Sequence, residues 1–365
     1  MRITVVGCGN GAFATAIDLA SQGHEITLYV DRSHSRNFDA IRENRTIIGY
    51  GVGPVGPVTL HEVTCEESIA FRDTELIFIV VPSFAHEDVA ERIAPYLRDG
   101  DRIVLSPGST GGALVFAGIL RERAAAKDIR IAEIHTLPYT VRKVGADGVR
   151  IRLMLQYLLF AVFPAKYSQE MFELVRSMYP AIVLTRDVLE TSLNNGNATT
   201  HPAPVVLNAG KIEYYGKHYH YAEGITPSVG RVIQKIDDER KAICRAYGYA
   251  ELDVKERLYR MGYCPLRETV YACIQGSTEV FLPVEGPNTL NDRYLVEDAP
   301  FSLVAMIELA QAMGVQTPLM ESVVCMASAL MDEPYRETGR TLVRMGLDGM
   351  SPEEIRHYLE TGERA

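Results

Sequence analysis

The feature that most constrains this chain lies within its first dozen residues. Gly7-Cys8-Gly9-Asn10-Gly11-Ala12 follows a β-branched run at 3–6 and leads into a helical pattern, giving the spacing G-x-G-x-x-A. In a parallel α/β unit each small residue in that spacing has a task. Gly7 permits the tight turn, Gly9 lets the backbone approach a pyrophosphate, and Ala12 keeps helix and strand close. The helix that opens there points its unpaired N–H groups and positive dipole end at whatever the loop cradles. Glycine-rich turns also arise for purely structural reasons. Here the preceding strand, the helix and a second strand-like run at 26–30 agree, so Gly7, Gly9, Asn10, Gly11 and Ala12 are read as a dinucleotide-binding loop.

The pattern beyond the loop extends that reading. Strand-like runs at 3–6, 26–30, 76–81, 102–105 and 129–133 alternate with helical runs at 12–22, 39–43, 87–96 and 112–123. Alternation of this kind marks a parallel sheet with helical crossovers. The run 76–81 is apolar at every position, as a strand covered on both faces requires. Residues 49–58 are rich in Gly and Pro and predict a hairpin or loop. Past the Asn-rich segment 194–197 the character changes to long helical patterns at 228–247, 254–261, 302–313 and 317–331. A last helix is predicted over 351–361, opened by Ser351-Pro352 with Pro at the first helical position. The expected class is α/β: a Rossmann-type doubly wound domain over residues 1–188, then an all-helical domain over 189–365.

Composition narrows the partners. The 365 residues carry 37 basic and 47 acidic side chains, a net charge of −10, and a phosphate-rich partner rewards the opposite balance. Neither nucleic acid nor membrane is expected as a partner. No stretch reaches the ~18–20 apolar residues of a spanning helix, and glycines break the apolar opening, so it does not read as a signal peptide. The six cysteines are scattered, without a C-x-x-C pair or a metal-ligand spacing, which suits reduced thiols in the cytoplasm. His218 and His220 lack a third ligand at matching spacing, and no metal is expected.

Cofactor choice turns on the end of the second strand. Asp31 stands where a ribose-binding carboxylate is found, and its charge favours NAD over NADP. Arg32 and Arg36 are placed to do the opposite, so the expectation is NAD or NADP with NAD preferred. Pro82 and Ser83 close a central strand at the sheet edge where such folds contact the cofactor. The second glycine-rich turn, 106–112, is expected to line the nicotinamide end or to serve only as a turn. His135 and Tyr139 are read as structural or substrate-facing, Tyr214 and Tyr215 as pocket or surface, and Cys264 and Cys273 as core thiols.

Two segments of the helical half carry chemistry. Leu193 to Pro202 reads L-N-N-G-N-A-T-T-H-P and includes His201; Arg293 to Phe301 reads R-Y-L-V-E-D-A-P-F. Together with S-P-G-S-T-G-G-A at 106–113, E-I-H-T-L-P-Y at 133–139, L-N-A-G-K-I-E at 207–213, Y-A-E-G-I-T-P-S-V at 221–229 and D-D-E-R at 237–240, they make the chain resemble the opine dehydrogenase family, the NAD(P)-dependent octopine/nopaline dehydrogenases. The resemblance covers essentially the whole chain. It implies a helical domain like the C-terminal domain of 6-phosphogluconate dehydrogenase. It also implies a reductive condensation of an α-keto acid with the amino group of an amino acid. These two small molecules are the implied partners, and a homodimer is left open. By the resemblance His201 is the general acid/base, Asp298 its partner, and Arg293 and Asn208 contact substrate.

Elementary chemistry agrees with those roles. Hydride addition to C=O or C=N builds negative charge on the heteroatom, and a histidine poised near neutrality can deliver the proton. A carboxylate on the other ring nitrogen sets the tautomer, and an arginine fork matches a substrate carboxylate. Placing the glycine loop in one domain and the His–Asp pair in the other puts the expected reaction between them. Two rivals stand beside this reading. One is a 2-hydroxyacid or glycerol-3-phosphate-type dehydrogenase, a class that leans on a catalytic lysine, although Lys211 and Lys217 follow His201 without sitting in a motif for that role. The other is a nicotinamide-sensing protein without turnover.

Overall fold

The computed structural model describes residues 1–123 and 127–364, apart from the side chains of 35–37. Its contacts divide the chain into two compact units. The first comprises Met1–Gly108, Gly112–Val188 and Tyr358–Glu363; the second comprises Ser109–Gly111 and Leu189–His357. The chain therefore does not part into two continuous stretches. The turn at 106–112 gives its middle three residues to the helical unit, and the last helix gives its end to the sheet unit.

Among the described residues the first unit has twelve strands: β1 Arg2–Val6, β2 Glu25–Tyr29, β3 Thr46–Gly51, β4 Gly56–Thr59, β5 Glu62–Thr64, β6 Leu76–Ile79, β7 Arg102–Leu105, β8 Arg130–Ile134, β9 Tyr139–Val144, β10 Gly148–Met154, β11 Leu158–Phe163 and β12 Ile182–Leu184. Eight form one sheet in the order β12-β11-β8-β7-β6-β1-β2-β5. Every pairing in it is parallel except β11 with β8. The stretch β5-β2-β1-β6-β7-β8 is the doubly wound order, and it reverses between β1 and β6. All four residues of β6 are buried, because crossover helices cover both faces.

The expected turn at 49–58 is a hairpin, β3 antiparallel to β4. It belongs to a second sheet, β4-β3-β10-β9, which the residue pattern did not announce. In β10, Val149 and Ile151 are buried while Arg150 and Arg152 are not. That two-residue alternation is short and interrupted by a register shift between Ile151 and Leu153. The helix expected at 39–43 is instead a run of 3₁₀ turns over Arg32–Ile41. The last helix, Pro352–Thr361, ends against the sheet unit: the Tyr358 ring lies 5.0 Å from that of Phe163 and 5.1 Å from the Arg121 guanidinium.

The second unit is helical. Its long helices are Pro227–Tyr247, Val304–Ala312 and Pro318–Met331, close to the predicted positions. A core of Tyr221, Ile225, Ile233, Val254, Leu258 and Phe281 lies among them. Beside it sits a buried ionic knot. Asp237 accepts from Arg240 Nε at 2.7 Å and from the Val254 N–H at 2.8 Å. Arg240 Nη1 donates to the Leu193 carbonyl and to Asn194 Oδ1 at 3.1 and 2.9 Å. Burial and the Arg240 charge push the neighbouring Arg257 down to about 10. The D-D-E-R motif thus anchors the start of the segment that carries His201.

Ser109–Gly111 is held in this unit by hydrogen bonds. Arg340 Nη1 donates to the Thr110 carbonyl at 2.8 Å, and the Gly111 N–H donates to Ser192 Oγ at 2.9 Å. Among the described residues no helix is long and apolar enough to cross a membrane.

Candidate active site

The glycine loop crosses from β1 to the helix Asn10–Ser21, at the reversal of strand order. Gly7 has φ +133°, and a Cβ there would lie 2.4 Å from the Val80 carbonyl oxygen. A Cβ on Gly11 would meet Leu137 Cδ2 at 2.8 Å. Gly9 differs, since nothing lies within 4 Å of a Cβ built on it. The space above Gly9 is therefore open while its two neighbours are closely packed. The helix begins without a side-chain cap and without an acidic residue in its first turn, so its N–H groups and dipole face that space unopposed. These residues fit a dinucleotide pyrophosphate. Ala12 is fully buried. Asn10 turns its Oδ1 to the Lys143 N–H at 2.7 Å, tying the loop to β9, and burial lowers the Lys143 ammonium, whose Nζ stands 4.0 Å from the Phe13 ring centre.

Asp31, just past β2, is already engaged. Its carboxylate accepts from the Ser33 N–H at 2.8 Å, from Ser33 Oγ, and from Arg92. Burial works against its charge, but the Ser33 hydrogen bonds and the Arg92 guanidinium hold it below the usual carboxylate range. Arg32 is paired with Glu66 and exposed; the Arg36 side chain lies outside the described residues. Pro82 and Ser83 open a 3₁₀ turn beyond β6, with Ser83 buried.

The chemistry cluster lies wholly within the helical unit. The short helix Asn197–Thr200 delivers His201, and Pro202 at once starts the next helix, Pro202–Leu207. Ninety-seven residues later in sequence, Asp298 brings Oδ2 to 2.8 Å from His201 Nδ1. The other ring nitrogen, Nε2, lies 3.1 Å from Tyr221 Oη. With Nδ1–H directed at Asp298, the neutral ring accepts at Nε2 and the Tyr221 hydroxyl donates to it. The imidazole stacks on Tyr294 at 3.9 Å between centres and 11° between planes. His220 flanks both rings and passes its Nε2–H to the Thr200 carbonyl at 3.3 Å. Burial, with the His201 ring beside it, pushes His220 down to about 3, so it is a neutral donor at every ordinary pH.

Asp298 precedes a π-helical turn, Ala299–Leu303, and makes no side-chain capping bond there. A role as helix cap is thereby removed, and its visible partner is the histidine. Burial raises the Asp298 carboxyl; Glu297 adds to this and Arg293 opposes it. Arg293 opens the helix Arg293–Val296, with Nε on Glu297 at 3.1 Å and its side chain 44% exposed. The Glu297 charge raises it further above its usual value, so it is a permanent cation.

Other residues take structural places. Both amide hydrogens of Asn208 go to main-chain carbonyls, those of Pro204 and Gly224, at 2.8 and 2.9 Å. The residue pins the end of the Pro202–Leu207 helix to the loop after Tyr221. Tyr139 donates to Asp18 at 2.6 Å inside the sheet unit. His135 Nδ1 accepts from the Leu159 N–H at 3.0 Å. Burial pushes the Cys264 thiol up to about 12, which suits a core residue and not a nucleophile. Tyr214 and Tyr215 are exposed. Lys211 and Lys217 are paired with Glu223 and Glu285, each at 3.1 Å. No group of three or more His, Cys, Asp or Glu side chains among the described residues is arranged to hold a metal.

Tyr221, Tyr294, His220 and Arg92 were not among the residues singled out as site members. Tyr221 and Tyr294 sit inside quoted motifs, but nothing in their spacing says which tyrosine meets the histidine.

Comparison with known proteins follows the same division. Residues 184–331 match the family model of the NAD/NADP octopine/nopaline dehydrogenase alpha-helical domain. Residues 2–127 match the model of the NAD-dependent glycerol-3-phosphate dehydrogenase N-terminus. An opine dehydrogenase of Arthrobacter sp. (strain 1C) is 36% identical over 98% of both chains. The chain belongs to the opine dehydrogenase family. As a member it is an NAD(P)-dependent oxidoreductase of the opine type. A vitopine synthase of Allorhizobium ampelinum is 26% identical over 97% of this chain and 98% of its own. Among solved structures, an octopine dehydrogenase with NADH and L-arginine shares the family fold at TM-score 0.78 and 21% identity, covering 100% of this chain and 99% of that one.

Proposed function

We propose that this protein condenses an α-keto acid with the amino group of an amino acid, the carbonyl oxygen leaving as water, and reduces the resulting imine to a secondary amine. The observation that carries the reading is the imidazole of His201 held between the Asp298 carboxylate and the Tyr221 hydroxyl, with the exposed Arg293 fork five residues before Asp298. Gly7, Gly9, Gly11 and Ala12 are the residues to hold the pyrophosphate, and Asp31 the adenine ribose. Bound there, the reduced nicotinamide dinucleotide supplies the hydride.

The remaining work falls to side chains of the helical unit. Asp298 holds Nδ1 and favours the charged ring, which leaves Nε2 as the nitrogen that exchanges protons with the reacting heteroatom. Tyr221 occupies Nε2 in this structure and keeps that lone pair aimed and hydrogen-bonded. The heteroatom that gains the proton becomes the amine nitrogen, so carbon takes hydride, nitrogen takes H⁺, and the product is neutral at the bond formed. Arg293 holds a substrate carboxylate through the terminal nitrogens not used on Glu297. The Tyr294 face walls one side of the ring and limits water there.

The cytoplasm is the location we assign, supported by six cysteines that form no disulfide. The test is a product screen by mass spectrometry with NADH or NADPH, pyruvate or glyoxylate, and pooled amino acids. The expected product is a secondary-amine dicarboxylic acid formed only when both acids are present. A 2-hydroxy acid formed from the keto acid alone would replace this reading with that of a simple hydroxyacid dehydrogenase, and cofactor binding without any product would replace it with a sensor.

A further inference from the structure

The carboxylate expected to choose between the two dinucleotides does not stand alone. Asp31 is ion-paired with Arg92, which projects from the last turn of the helix His86–Ile93 and holds Asp88 with its other terminal nitrogen at 2.9 Å. Ser33 takes the remaining carboxylate oxygen through its N–H and hydroxyl. Arg32, the next residue along, is 71% exposed on its side chain and leans on Glu66. One guanidinium therefore sits on the acidic residue at the tip of β2, and a second belongs to the next residue in sequence. Their present partners, Glu66 and Asp88, are themselves largely solvent-exposed.

We propose that Arg92 makes this site accept both NADH and NADPH. A bare carboxylate at the end of β2 accepts hydrogen bonds from the ribose hydroxyls and repels a 2′-phosphate, whose charge approaches −2. Here the guanidinium of Arg92 cancels most of that repulsion at the place where it would act. When the 2′ position carries a hydroxyl, Asp31 keeps Arg92 and Ser33 and accepts the ribose through its unused lone pairs. When it carries a phosphate, Arg92 and Arg32 exchange exposed carboxylates for phosphate oxygens, which are stronger acceptors for a planar fork. The exchange costs little, because exposed ion pairs contribute only about 0–1 kcal/mol. The residue that sets the preference thus lies 61 positions downstream of Asp31, on another helix of the same unit.

This rests on the glycine loop as the dinucleotide site, and the test separates the two claims. Calorimetric titration of the whole protein with NADH and with NADPH gives the ratio Kd(NADPH)/Kd(NADH). For the unaltered protein that ratio is expected within about tenfold of one, and Arg92→Gln should raise it at least tenfold, since like charges then meet unshielded. Arg92→Lys should fall between the two. Adding Asp31→Asn to Arg92→Gln should bring the ratio back down, because the repelling charge is gone. An unchanged ratio in Arg92→Gln, or an unaltered protein that discriminates more than a hundredfold, overturns the role of Arg92. Failure of both dinucleotides to bind overturns it together with the assignment of the loop.

Discussion

The two units build their working parts from different material. In the sheet unit the loop proposed to hold the cofactor is made of main chain: helix N–H groups, a glycine at φ +133°, and another whose missing side chain leaves open space. Its residues are neighbours in sequence, and the strand before them and helix after them are what place them. In the helical unit the proposed chemistry is made of side chains from three separate stretches, at 201, 220–221 and 293–298, joined across a gap of 97 residues by the His201–Asp298 bond. A site made of backbone depends on local conformation and is damaged by adding atoms. One made of side chains depends on packing and is damaged by removing them.

The largest expected effect tests the helical side of that contrast. His201→Ala should lower kcat by about 10²–10⁴ while leaving NADH affinity nearly unchanged, because general acid–base catalysis contributes on that scale. Asp298→Asn should also lower kcat and flatten its pH profile, since an amide supports the ring without stabilising its charge. Steady-state kinetics beside NADH titration would check both. Near-normal turnover in either variant would remove that residue from the mechanism, and a parallel loss of cofactor binding would break the division between units.

The converse belongs to the glycine loop. Gly7→Ala should weaken NADH binding about tenfold or more and cost about 1–3 kcal/mol of stability, since the new Cβ enters a strained φ and the Val80 carbonyl at once. Titration and chemical denaturation would measure this, and unaltered binding would show that the loop does not need the conformation described here.

A smaller effect sharpens the picture of the helical interior. His220 is pushed down to about 3 by burial and by the His201 ring, whereas an unfolded histidine titrates near 6.5. Between those values the unfolded chain binds the extra proton, so stability is full above about 6.5 and falls by about 1.4 kcal/mol per unit as pH drops, levelling below the folded value. His220→Gln should flatten the slope of stability against pH between 6 and 4 by about one proton. An unchanged slope would mean that His220 is charged or reachable by water in the fold.

Much of this protein was determined by sequence alone, for reasons that are local. The G-x-G-x-x-A loop, the apolar run that became β6 and the start of the last helix at Ser351-Pro352 all follow from conformational preference or burial within a few residues. Family resemblance in the 193–202 and 293–301 motifs brought His201, Asp298 and Arg293 forward as a group, although no periodicity ties them together. Tertiary structure alone decided the rest. It put Tyr221 on the second nitrogen of His201 and laid Tyr294 on its face. It turned Asn208 into a fastener between two main-chain carbonyls. It also took Arg92 from a surface helix to Asp31, and divided both the 106–112 turn and the last helix between the units. Each of these depends on which distant surfaces pack together, and packing is decided by the summed burial of many side chains, a quantity that no short motif records.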